Sequence, residues 1–252
     1  MTNTEAATAP GYLIFGAAGG IGSALCRRLN AAGARLVLAG RREGPLAALA
    51  SELGAAHVVA DATKFDAVDA AFDRAAAELG RIDGVVNLAG SIMLKAAHQT
   101  SEAEYRAVIE QNLTSAFAVV RSAGRVMRSA GGAVVLMSSS AGRVGLANHE
   151  AIAAAKAGVI GLTMAAAATY AGAIRINCVA PGLVRTPLAR ALLSSEPAEK
   201  ASVAMHAAGR IGEAADVASL IAWLLDPANN WVTGQVFGVD GGLSTVRPRV
   251  KV

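Results

Sequence analysis

Short apolar runs alternate with stretches of helical spacing along almost the whole chain. Residues 12–15 (YLIF) read as a buried strand. After them Ile21, Leu25 and Leu29 recur every four residues with Ala24 beside them, which predicts a helix. Residues 35–39 (RLVLA) form a second predicted strand, followed by a helix from about 45 to 53. The alternation continues with strand 57–60, helix 65–79, strand 82–87, a long helix 102–127 and strand 133–137. A helix beginning near His149, a strand 174–179, a less regular region 183–212, a helix 214–225 and a last strand 235–239 complete it. Strands and helices in strict alternation predict an α/β fold, a doubly wound parallel sheet with helices on both faces.

No linker, internal repeat or low-complexity segment interrupts this pattern in the 252 residues, so one domain spanning 1–252 is expected. Hydrophobic residues make up 54% of the chain, many of them alanine, which predicts closely packed helices. The net charge is +4, yet the basic residues are scattered and no aromatic-basic stripe marks a nucleic-acid surface. Arg247, Arg249 and Lys251 at the tail read as a solvated or interface segment. Cys26 and Cys178 lie in predicted core elements and imply thiols in a reducing, cytoplasmic compartment. The first ten residues have no basic or apolar segment of a signal peptide. The uncharged run 157–174 reads as a buried helix, not a membrane span. No histidine, cysteine and carboxylate cluster has metal-ligand spacing.

The chemistry concentrates at strand ends. Gly16, Gly20 and Gly22 follow the first strand with G-x-x-x-G-x-G spacing and lead into a helix. Strand, glycine turn and helix N-terminus make a nucleotide cradle: Gly16 turns sharply, and Gly20 and Gly22 let a phosphate approach the backbone. The second strand ends in Gly40-Arg41-Arg42. In a dinucleotide fold an acid there holds the ribose 2′-OH of NAD, whereas arginine accepts a 2′-phosphate, so NADP(H) is favoured over NAD(H). Arg41, Asp61, Asn87, Ser139 and Pro181-Gly182 all fall at carboxyl ends of strands, where such sheets bind ligands.

Together these motifs resemble the short-chain dehydrogenase/reductase family over nearly the whole chain, which implies a Rossmann-like domain binding a nicotinamide cofactor. Gly16-x-x-x-Gly20-Ile21-Gly22 resembles its cofactor turn, and Asp61 matches its adenine-contacting acid. Asn87-Leu88-Ala89-Gly90 resembles its Asn-Asn-Ala-Gly motif. Asn112, Ser139 and Lys156 fall where three of its four active-site residues belong. Pro181-Gly182 and Thr186 resemble the segment at the nicotinamide end, and 183–212 its substrate lid.

The departures are specific. Phe15 stands where the family's turn usually opens with threonine, and Leu88 replaces the second asparagine. The family's Tyr-x-x-x-Lys is Ile152-Ala-Ala-Ala-Lys156, so the usual proton donor is an isoleucine that can neither give nor take a proton. If the helix begins by His149, its imidazole lies within about 60° of Ile152 and is the candidate substitute. Tyr170 is five turns away and cannot serve. These features imply an NADP(H)-dependent oxidoreductase acting on a small carbonyl or alcohol, with a non-standard proton relay. Two alternatives stand beside it. One is a catalytically silent cofactor-binding subunit paired with an active relative; the other is a non-redox lyase or isomerase. The family resemblance also implies a homodimer or homotetramer.

Overall fold

A computed structural model describes residues 9–247; the N-terminal segment 1–8 and the tail residues Arg249 and Lys251 lie outside them. The described residues form nine strands and eight α-helices, in the expected order except for two short strands and a helix within 184–213, which were not expected: β1 Gly11–Phe15, α1 Gly20–Ala31, β2 Arg35–Gly40, α2 Glu43–Leu53, β3 Ala56–Val59, α3 Phe65–Leu79 and β4 Gly84–Asn87. Then come α4 Glu102–Ile109, α5 Ser115–Val126, β5 Gly132–Met137, α6 Glu150–Thr169 and β6 Ile174–Pro181. The chain ends with β7 Val184–Arg185, α7 Glu196–Met205, β8 Gly212–Glu213, α8 Ala214–Leu225 and β9 Val236–Val239.

Seven strands form one parallel sheet in the order β3-β2-β1-β4-β5-β6-β9. Strand side chains alternate between two cores, as a period of two requires. Leu13, Phe15, Val85, Val134 and Leu136 pack with Phe72 of α3 and Val119 of α5 on one face. Tyr12, Ile14, Leu38, Val86 and Val135 meet Leu25 of α1, Leu46 of α2 and Ile221 of α8 on the other. The order in which strands are added reverses between β1 and β4, which opens a crevice beyond their carboxyl ends.

Two expectations change. The long helix 102–127 is broken: a π-helical turn, Glu110–Thr114, separates α4 from α5. Its i→i+5 bonding admits one extra residue. Asn112 sits in that turn and donates its side-chain Nδ2 to the Val108 carbonyl at 2.9 Å, taking an acceptor one turn back. The other change is at α6, which starts at Glu150. Asn148 adopts a left-handed φ of 62°, and His149 is the non-helical residue before the helix, with φ −111° and ψ 10°.

α6 is the one described helix long and apolar enough to cross a membrane, with mean hydropathy 1.6 over 18 residues. Here Ile152, Ala155, Val159, Thr163 and Ala166 are buried within the fold. The irregular region 183–212 closes on itself, because β7 pairs with β8 through Val184↔Gly212 and Arg185↔Glu213. Between them lie a 3-10 helix, Pro187–Leu193, and α7.

Candidate active site

A groove of about 590 Å³ lies beyond the strand ends, lined by Gly16, Gly19, Gly20, Arg41, Arg42, Asp61, Thr63, Ala89, Gly90 and Pro187 among others. One end is the glycine turn. Gly16 has φ +73°, and a Cβ there would lie 2.8 Å from the Leu88 backbone. At Gly22 a Cβ would collide with the Gly16 carbonyl, and at Gly20 it would meet Thr186 Cγ2 at 2.7 Å. The glycines are therefore required by packing of the turn on itself and on Thr186, not only by approach of a ligand. No side chain caps α1 and no acid occupies its first turn, which leaves its positive end for an anion.

Arg41 and Arg42 are exposed on the groove's rim, and Arg42 Nη2 reaches the Ala18 carbonyl at 3.4 Å. Asp61 Oδ1 accepts from the Thr63 amide at 3.0 Å. Burial works to raise the Asp61 carboxyl, but the Thr63 hydrogen bonds and the Arg41 and Lys64 charges outweigh it and hold it below the usual carboxylate range. The turn, rim and carboxylate together fit a dinucleotide: donors for phosphate at one point, positive charge and a polar acceptor further along.

Past Gly90, polar side chains are largely spent on one another. Asn87 is buried, donates to Ser115 Oγ at 3.3 Å and accepts from the Ala89 amide at 3.1 Å. It shapes the turn carrying Ala89 and Gly90. Asn112 donates to Ser91 Oγ at 2.9 Å and accepts from the Ser91 amide at 3.2 Å. Ser91 and Ser115 carried no signal in sequence, because their partners Asn112 and Asn87 lie 21 and 28 positions away and meet them only after folding. A Cβ on Gly90 would lie 2.8 Å from Asn112 Oδ1 and 3.4 Å from Lys156 Nζ. Gly90→Ala is thus expected to destabilise the fold by about 1–3 kcal/mol, read as a lower urea midpoint at unchanged slope.

The three serines after β5 each take a different partner. Ser138 Oγ donates to the Lys156 carbonyl at 2.7 Å, and Ser140 Oγ donates to Asp240 Oδ2 at 3.0 Å. Ser139 is half-buried; its Oγ accepts from the Ala141 amide at 3.1 Å, and its proton remains free to donate. Asp240 also accepts from the Ser244 hydroxyl and from the Ser244 and Gly242 amides, both at 3.0 Å. Asp240 stands 100 positions from Ser140, so nothing local in the sequence reveals this tie.

Lys156 is buried, and its Nζ donates to the Met137 carbonyl at 3.0 Å. Desolvation without a carboxylate partner lowers its pKa to about 8. One turn earlier, Ile152 is 4% exposed and packs with Val108, Ala151 and Ala155. His149 lies outside the groove's lining, as Ser139 and Lys156 also do. Its Nδ1 is 2.7 Å from the Ala147 carbonyl, and lying outside the helix it lacks the phase relation to Ile152 that helical spacing implied. Gly182 donates its amide to the Val239 carbonyl at 3.1 Å, and Thr186 accepts from the Ala189 amide at the start of the 3-10 helix.

A family model described as enoyl-(acyl carrier protein) reductase matches residues 16–244. The chain is 42% identical to a cis-4-hydroxycyclohexanecarboxylate dehydrogenase of Sinomonas cyclohexanicum, over 93% of this chain and 96% of that one. It is 37% identical to a galactitol 2-dehydrogenase of Cereibacter sphaeroides, over 91% of this chain and 92% of that one. Among solved structures, a short-chain type dehydrogenase/reductase from Mycobacterium ulcerans superposes with TM-score 0.90 at 32% identity, covering 93% of this chain and 90% of that one. Motifs, sheet order and relatives agree: the chain belongs to the short-chain dehydrogenase/reductase family and is an oxidoreductase of that type.

Proposed function

We propose that this protein is an NADP(H)-dependent oxidoreductase interconverting a small secondary alcohol and its ketone. The observation that carries the cofactor choice is the pair Arg41 and Arg42 on the groove's rim, with no acid at the end of β2. Two relatives are named for dehydrogenating a ring alcohol and a sugar alcohol, which supports a secondary alcohol as substrate. When bound, the nicotinamide supplies or accepts the hydride. The chain's own residues do the rest. Gly16, Gly20, Ile21 and Gly22 carry the pyrophosphate on the end of α1. Asp61 and the Asn87-shaped turn at Ala89 and Gly90 line the cofactor's course to Pro181, Gly182 and Thr186. Ser139 donates its free hydroxyl proton as a hydrogen bond to the substrate oxygen. Lys156 holds the ribose, and water supported by the π-turn that Asn112 holds in place relays the proton that Ile152 cannot. The segment 183–212 covers the substrate, and the whole chain acts as one domain in the cytoplasm.

Association into a homodimer or homotetramer is part of this reading. From Ala157 onward the exposed face of α6 is uncharged, with Met164 52% exposed, and Phe117 on α5 is 49% exposed. The cofactor reading is tested by fluorescence titration: NADPH binds more tightly than NADH, and Arg41→Glu weakens NADPH by about ten- to a hundredfold while NADH changes little. NADH binding the wild type more tightly overturns it.

A further inference from the structure

His206 ends α7 and is 4% exposed, although a histidine beside two alanines in an irregular region suggests a surface loop. Both ring nitrogens are engaged. Nδ1 lies 2.7 Å from the Ser202 carbonyl, and the Leu183 amide donates to Nε2 at 3.1 Å. Those partners fix the neutral tautomer, because a carbonyl needs Nδ1–H and an amide needs a bare Nε2. The ring is wedged between two glycine turns. A Cβ on Gly182 would lie 2.7 Å from Nε2, and one on Gly241 would lie 3.4 Å from His206 Cβ.

Leu183 is the entrance to the segment 183–212. Its amide is held by His206, and its carbonyl accepts from the Gly212 amide at 3.0 Å, where the segment returns. Just beyond, Thr186 and Pro187 stand against Gly20 of the phosphate turn. One imidazole therefore ties the far end of α7 to the strand exit that sets Pro181 and Gly182.

We propose that His206 is the latch of the 183–212 segment, a positioning residue that holds it over the cofactor groove and releases it on protonation. A second ring proton puts N–H on both nitrogens, so the Leu183 amide faces a donor and its bond is lost. The charged groups around the ring are accounted for. Asp240 faces it from the loop after β9, with its carboxylate engaged by Ser140 and Ser244. Arg28 and the Arg210–Asp216 pair line the same cavity. On α7 itself, Glu199 pairs with Arg185, and Lys200 with Glu196. The latch is a property of the fold alone; its effect on cofactor binding rests on the function proposed above.

Hydrogen exchange on the cofactor-free protein tests it, with rates corrected for the intrinsic effect of pH. His206→Leu is expected to exchange about tenfold faster in peptides covering 183–206 at neutral pH, with β1, β4 and β5 unchanged. His206→Gln, whose carboxamide can both accept and donate, restores protection. Acidification loosens these peptides in the wild type and leaves His206→Gln protected. Equal exchange in His206→Leu and wild type, or protection in the wild type that ignores pH, overturns the latch. If His206→Leu does not fold, the wild-type and His206→Gln pH series decides alone. NADPH affinity should fall about tenfold in His206→Leu. A wild type that binds no NADPH overturns the cofactor reading, while the exchange data still judge the latch.

Discussion

Ile152→Tyr is expected to raise kcat for NADPH-dependent ketone reduction by about 10²- to 10⁴-fold, the usual contribution of a positioned general acid. The site around that position is otherwise equipped. Ser139 has a free hydroxyl proton, and Lys156 stands one turn further along α6 with its Nζ fixed on the Met137 carbonyl. An ammonium beside a phenol stabilises phenolate and brings the tyrosine's pKa toward neutrality, where proton transfer is most effective. The isoleucine instead spends its side chain on an apolar contact with Val108, Ala151 and Ala155, bordered by Met93, Ile109 and Leu113. Losing that contact, or forcing a larger ring into it, costs about 1–3 kcal/mol of stability, so the variant should be faster and less stable. Steady-state assays with a panel of ketones, run beside thermal melts, check both halves. A wild type already as fast as the variant means that another group delivers the proton, and His149→Ala is then the informative comparison. Turnover in the variant alone identifies a scaffold whose own task is cofactor binding beside an active relative.

Lys156→Met should have the opposite signature, with activity falling at least about a hundredfold while stability at pH 7 rises by about 3 kcal/mol. The lysine is buried, and its pKa falls from 10.5 to about 8 because burial strips its hydration. The unfolded chain binds this proton more tightly than the folded one, so the penalty is complete below about pH 8. Between about pH 8 and 10.5 the folded protein has lost the proton while the unfolded chain keeps it, and stability rises with pH; above 10.5 neither holds it and the penalty is gone. The gain from methionine should therefore shrink over that window. Urea denaturation of both proteins at pH 7 and pH 10 measures it, and an equal gain at the two values would reject the charge explanation.

The architecture was legible because its signal is periodic. Alternation of short apolar runs with helical spacing predicted the parallel sheet, and most element ends fell within two residues. The exceptions have local causes. Nothing in EQNLTS announces a π-turn, since the extra residue is stabilised by contacts of Asn112 with Ser91 and Val108 that exist only after folding. His149 read as helical because spacing cannot see the left-handed Asn148 that precedes it. The glycine turn was legible as a turn, but half its rationale was not: Gly20 must be bare partly because Thr186, more than 160 positions later, leans on it. The sequence could propose which polar residues stand near the groove. It could not show which of them, like Asn87 and Asn112, are already committed to holding the backbone.

The bond between Ser140 and Asp240 also bears on how the protein is made. A ribosome delivers the chain from its N-terminus, and Ser139 is in hand long before the carboxylate that anchors its neighbour. Strands β1 to β6 can pair before Asp240 is made, yet the Ser140 side of the loop carrying Ser139 gains its anchor only once β9 and the turn after it are in place. A fragment lacking β9 and the turn after it would therefore possess the groove without the carboxylate that anchors Ser140.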